Sequence, residues 1–135
     1  MTEANSTISQ PDGDIVRVQV PADVVYVSTL RLTAAGLAAR CELTIDDIED
    51  LRLAVDEACA LLLPNATGGM LNADFELNYG LLRVTVGVEG AGEVQIDRGG
   101  FAWTVLGALA TEVDVATADG RMTIAFTKRR MAGVA

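Results

Sequence analysis

A chain of 135 residues is long enough to bury one core without disulfides or a structural metal, and one domain is the working expectation. Nineteen acidic against ten basic residues leave a formal net charge of −9, so the long-range field repels phosphate backbones and anionic lipid, arguing against direct nucleic-acid or membrane binding. Histidine is absent, which removes the usual general base and the commonest metal ligand and leaves any acid–base catalysis to carboxylates.

Cys41 and Cys59 have no CxxC or metal-ligand spacing around them and read as reduced packing thiols of a cytoplasmic protein. No basic segment precedes an apolar core at the N-terminus, and the longest uncharged run, 58–73, is broken by Pro64, Asn65, Gly68 and Gly69; a soluble chain without signal peptide or span is expected. Mean hydropathy is +0.33 although only 4% of residues are aromatic, which predicts that some apolar surface meets a partner.

Residues 1–14 are polar and aperiodic, reading as a mobile tail before a single domain over 15–130, with 131–135 as a C-terminal tail. From Ile15 to Val20 valines alternate with Arg17 and Gln19, the period of a half-buried strand ended by Pro21. Val27, Leu30, Ala34 and Leu37 then recur at helical spacing, predicting a first helix over 23–40. Thr44-Ile-Asp-Asp47 fits a capping box and opens a second helix whose stripe is Ile48, Leu51, Val55, Ala58 and Leu62. At about 100° per residue, Glu57 and Leu61 share a neighbouring face of that helix.

After a break from Pro64 to Gly69, alternation through Phe75, Leu77 and Tyr79 and then Leu82, Val84, Val86 and Val88 predicts a β-hairpin turning near Gly80. A glycine-rich segment, 90–100, leads to a third helix over 101–112 carrying Trp103, Leu106, Leu109 and Ala110. Val113 to Ala116, a turn at Asp119-Gly120 and a strand from Met122 to Lys128 complete the chain, with Lys128-Arg129-Arg130 read as a solvated end. The order β-α-α-β-β-α-β-β implies an α+β, two-layer sandwich with helices covering one face of a mixed, mostly antiparallel sheet.

Two stretches, Pro21 to Ala38 and Asp46 to Cys59, closely resemble the anti-sigma-factor serine kinases of the RsbW type, and the likeness continues more weakly through Gly107–Val115 and Met122–Lys128. These belong to the Bergerat-fold, histidine-kinase-like ATPases. The resemblance implies a nucleotide pocket between helices and sheet, a homodimer, binding of an alternative sigma factor, and Mg-ATP-dependent phosphorylation of an anti-anti-sigma (STAS-domain) protein.

In that family the second helix carries an acid acting as general base and, four residues on, an asparagine that holds magnesium. Glu57 matches the acid, whereas Leu61 stands at the asparagine position and has no lone pair for a hard cation. Asn65 follows Pro64 and is not expected to substitute. The adenine-binding Asp-x-Gly-x-Gly element aligns with Val88-Glu-Gly90-Ala-Gly92, which keeps both glycines and loses the aspartate. The resemblance further places Gly100 at the start of the third helix, Thr123 near the base, a lid with Arg98 as its one basic residue, and Arg31 on the sigma-factor or dimer surface.

A bacterial, cytoplasmic anti-sigma factor is therefore expected, with ATP binding and kinase activity reduced or lost and no metal site assigned. An active serine kinase using Glu57 is the first rival. A domain sensing a small ligand in a pocket made more apolar by Leu61 and Val88 is the second.

Overall fold

The computed structural model describes residues 8–90 and 96–131. Five strands, β1 (Asp12–Pro21), β2 (Ala66–Asn78), β3 (Leu81–Gly90), β4 (Thr111–Ala118) and β5 (Arg121–Arg129), form one sheet in the order β1-β2-β3-β5-β4. Every ladder is antiparallel, so the sheet is not mixed. Three helices, α1 (Val27–Arg40), α2 (Ile45–Leu62) and α3 (Phe101–Leu109), form the second layer.

Alternation along the central strands creates that layering. In β3, Leu82, Val84, Val86 and Val88 are buried, as are Met122, Ile124 and Phe126 in β5, and all join one core with the helices. Leu30, Ala34 and Ala38 of α1 and Leu51, Ala54, Val55, Ala58 and Leu62 of α2 supply its other half. Small alanines at these crossings let helix and sheet backbones approach closely, while Phe75 and Phe126 fill the centre. The opposite face of the sheet is open and polar.

Local chemistry fixes several boundaries. Asp23 accepts the N–H of Val25 and starts a short 3-10 turn, Val24–Tyr26, that runs into α1. The capping box at α2 forms as expected, with Thr44 accepting from the Asp47 N–H at 3.1 Å and Asp47 accepting from the Thr44 N–H at 3.2 Å. The hairpin turn is Tyr79-Gly80, and Gly80 has φ of +74°, a conformation glycine adopts without strain. Tyr79 lies in this turn instead of the strand.

Three element ends differ from expectation, and so does the state of the basic cluster near the end of β5. β1 begins at Asp12, with one extra residue at Gly13, so the expected tail over 1–14 is interrupted; residues 1–7 and 132–135 lie outside the described residues. β2 begins at Ala66 inside the expected break, and its 67–70 stretch bulges before regular pairing resumes at Leu71. α3 ends at Leu109, because Thr111 pairs with Thr127 and Glu112 takes φ of +52° in a second edge bulge. Last, the 128–130 cluster is engaged: Lys128 binds Asp50, Arg129 binds Glu112, and Arg130 binds Tyr79 and Gly80.

Candidate functional site

Helix α2 separates two regions of chemistry. Asp50, Glu57 and Leu61 lie within about 40° of one another around the axis, and Asp50 marks the direction of that flank because its Oδ2 accepts from Lys128 Nζ at 3.0 Å. The same Nζ donates to the last-turn carbonyl of α3, Leu109, at 2.9 Å. Lys128 is only 14% exposed and so ties α2, α3 and β5 together. Glu57 and Leu61 are both half-buried on this side.

The surrounding residues do not assemble the magnesium and adenine pattern. Leu61 presents only carbon beside Glu57, and Asn65 uses its amide to donate to the Leu61 carbonyl at 3.1 Å, closing the end of the helix. Val88 is wholly buried between Leu71 and Met122 and presents only carbon at the position of the adenine-binding aspartate. Glu89, on the other face, leans over Gly69. Gly90 is held in the ladder, its N–H donating to the Gly120 carbonyl. Gly92 lies outside the described residues.

Thr123, expected beside the base, is on the opposite side of the sheet. Met122 and Ile124 face the helices, so the intervening threonine points to the open face, where its methyl packs against Gly87. Gly100 caps α3, and a Cβ there would meet Asp97 Oδ2 at 2.6 Å, so a local turn already requires the glycine. Arg98 stacks over the Trp103 ring at 4.9 Å from its centroid. Among the described residues no group of three or more acidic or thiol side chains is placed to hold a metal. Leu61 and Val88 thus offer no oxygen at the positions where the resemblance puts the magnesium and adenine contacts.

The other flank of α2 faces α1 and holds a groove of about 600 Å³ lined by Val24, Val27, Arg31, Cys59, Leu63 and Pro64 among others. Arg31 crosses it to Asp56, Nη1 to Oδ2 at 3.1 Å, with the two side chains 33% and 28% exposed. The second Asp56 oxygen has no hydrogen-bond partner among the described residues. Arg31 thus presents a partly fixed guanidinium at the rim of an apolar trough, and Val24 and Val25 stand exposed beside it. Sequence reasoning singled out Arg31 and missed Asp56, whose position beside Glu57 and one helical step toward α1 was the available signal.

The electrostatics support a rigid scaffold. Burial opposes ionisation of Asp47, but the Met131 N–H and the Thr44 hydroxyl and N–H outweigh it and hold the carboxyl below its ordinary value. Burial, with the nearby Asp56 charge, pushes the Cys59 thiol up to about 12. Burial also raises Cys41, and both cysteines are free thiols inside the core. Glu112 is lowered by its hydrogen bonds from Arg129 and Thr127. No helix among the described residues is long and apolar enough to cross a membrane.

Comparison with known proteins agrees with this architecture. Residues 20–128 match the histidine kinase-like ATPase domain family. The serine-protein kinase RsbW of Bacillus velezensis is 30% identical, with 85% of each chain covered, and that of Bacillus subtilis is 30% identical over 87% of this chain and 86% of its own. RsbW of Staphylococcus aureus is 34% identical over a shorter stretch, 60% of this chain and 54% of its own. A crystal structure of RsbU and RsbW domains from Mycobacterium tuberculosis superposes with a TM-score of 0.67 at 17% identity, covering 89% of this chain and 35% of that one. The present chain thus spans about a third of that longer chain. With its fold and most of its length matched, the chain belongs to the histidine kinase-like ATPase domain family and, within it, to the RsbW family.

Proposed function

We propose that this protein is a cytoplasmic anti-sigma factor that sequesters an alternative sigma factor and is released by an anti-anti-sigma protein, with ATP binding and phosphoryl transfer reduced or lost. The observation that carries the reading is Arg31, held by Asp56 at the rim of an apolar groove between α1 and α2. A partly buried guanidinium in an apolar setting gives a partner's acid a directional, weakly hydrated anchor, and the groove supplies area to exclude water around it. Leu61, the enclosed Val88 and the outward Thr123 support the loss of nucleotide chemistry. Control then rests on competition between two partners for one surface, as a binding equilibrium.

The decisive experiment mixes the purified chain with a panel of the host's alternative sigma factors, without nucleotide, and reads complex formation by size exclusion and calorimetry. A stable complex is expected with one of them, weakened at least about tenfold by Arg31→Glu. A complex that forms only with Mg-ATP, or one indifferent to Arg31→Glu, overturns the reading.

One observation favours a second reading: Glu57 is retained, half-buried on the α3 side, and the curated relatives are named serine-protein kinases. An active kinase predicts phosphate transfer to an anti-anti-sigma protein that disappears in Glu57→Ala. Absence of transfer in the unaltered chain removes it.

A further inference from the structure

We propose that the open face of the sheet carries a second site, one that binds a small ligand through a carboxylate or phosphate group, with Arg121 as its principal contact. The face holds a concavity of about 550 Å³, of metabolite size, with Arg17, Asn72, Gly87, Arg121 and Thr123 in its lining. It lies on the other layer from the Arg31 groove, so either proposal stands or falls without the other.

Gly87 is the first support. It sits in the central strand β3 without a positive φ, so its backbone does not demand glycine, and glycine in a strand interior weakens pairing unless something approaches closely. A Cβ at Gly87 would lie 3.0 Å from Thr123 Cγ2 and 3.1 Å from Arg121 Nη2. The missing side chain leaves room for the guanidinium to lie against the sheet beside the concavity.

The second support is the state of that guanidinium. Every other arginine of the chain has a carboxylate, carbonyl, hydroxyl or ring partner. Arg121 has none among the described residues. Its cross-strand neighbour Glu89 turns its carboxylate over Gly69 and forms no ion pair with it. Arg17 is joined to Asp74 only at 3.6 Å, with both side chains at least half exposed. Such a pair is weak and yields readily to a better acceptor.

The lining chemistry selects the ligand. A guanidinium fork matches the planar oxygens of a carboxylate or phosphate. Asn72 Oδ1 accepts from Gln19 Nε2 at 2.8 Å, which leaves the Asn72 NH2 to donate, and Thr123 contributes a hydroxyl. The chain's net charge of −9 disfavours a large polyanion and leaves a small anionic molecule as the fitting occupant.

The test is an amide and arginine-Nε NMR titration of the full chain with inorganic phosphate and, separately, with malonate, at constant ionic strength set by sodium chloride. Saturable shifts are expected at Gly87, Thr123 and the Arg121 Nε, with at least about tenfold weaker binding in Arg121→Gln and a smaller loss in Gly87→Ala, whose methyl crowds the guanidinium. Preference for one probe assigns the phosphate or the carboxylate class. The proposal is overturned if neither probe gives saturable shifts, or if both variants bind like the parent. It is also overturned if sedimentation shows this face covered by a second copy that Arg121→Gln releases. Arg121 is exposed at the start of β5, so its replacement leaves the core intact, and retained amide dispersion checks this in each variant.

Discussion

Replacing Asp47 with alanine tests how α2 is anchored. Asp47 is 1% exposed, and its Oδ2 accepts from the Thr44 N–H at 3.2 Å and from the Met131 N–H at 2.9 Å, joining the start of α2 to the end of β5. Losing the carboxylate strands the Thr44 donor, a cost of about 1–3 kcal/mol, and removes a negative charge from the positive helix end, about 0.5–1 kcal/mol. Met131 is 52% exposed, so water replaces much of its lost bond. The unpartnered Oδ1 also vanishes, relieving part of the desolvation cost. The balance is a loss of about 2 kcal/mol, or a drop of about 1 M in the urea midpoint for a two-state domain of this size.

The same residue fixes a pH dependence. Because the folded carboxyl lies below its ordinary value of 3.8, its contribution is present above that value and fades as pH falls through the lower folded one. Asp47→Asn keeps one acceptor and loses the charge, so its stability gap from the parent narrows as the solution is acidified below about pH 4. Urea unfolding of the parent and both variants between pH 7 and pH 3 reads this out. A loss under about 0.5 kcal/mol in Asp47→Ala, or a gap for Asp47→Asn that stays constant with pH, refutes the reasoning.

Restoring the missing nucleotide residues has unequal consequences: Val88→Asp places a carboxyl in the closed core and costs roughly 3 kcal/mol or more, whereas Leu61→Asn, half-buried, costs about 1 kcal/mol. Thermal unfolding of the two single variants checks the ranking, and equal effects contradict it. Both thiols are expected to resist Ellman's reagent at pH 8 in the folded chain, where burial keeps them protonated and out of reach, and to react at once in denaturant; fast labelling of native protein contradicts the buried placement. Lys128→Met keeps the packing of the stem but removes the donor to the Leu109 carbonyl and to Asp50, whose 37% exposure lets water replace part of the loss, with an expected cost of about 1–2 kcal/mol. Hydrogen exchange should then rise first in α3, and uniform exchange across the fold argues against the three-element tie.

What was legible in the sequence was local or periodic. The capping box at Thr44 and Asp47 needs only neighbours three residues apart, and the alternation from Leu82 to Val88 follows from burying one face of a central strand. The same alternation was enough to turn Thr123 away from the helices, since Met122 and Ile124 flank it; residue matching to the family hid that parity. Element ends were less readable. Asp12-Gly13-Asp14 and Thr67-Gly68-Gly69 carry turn composition yet form bulged strand starts, because pairing with the neighbouring strand holds on both sides of each bulge. The Arg31–Asp56 pair joins two helices across 25 positions, and the Arg121 seat on Gly87 depends on register between β3 and β5. Neither distance is encoded in any short stretch of chain.

The two outer strands share a consequence for how copies of this protein can meet. β1 and β4 each begin with a one-residue bulge, at Gly13 and near Glu112, and each carries acidic side chains, Asp12 and Asp14 on one and Glu112 and Asp114 on the other. A straight row of free N–H and C=O groups is therefore interrupted at both borders, and an incoming strand of the same sequence brings like charge against like. Growth of the sheet from one molecule into the next is resisted in both directions. A chain this apolar, with three inner strands paired on both sides and two guarded borders, resists edge-to-edge association and still leaves the faces of its layers open for contacts.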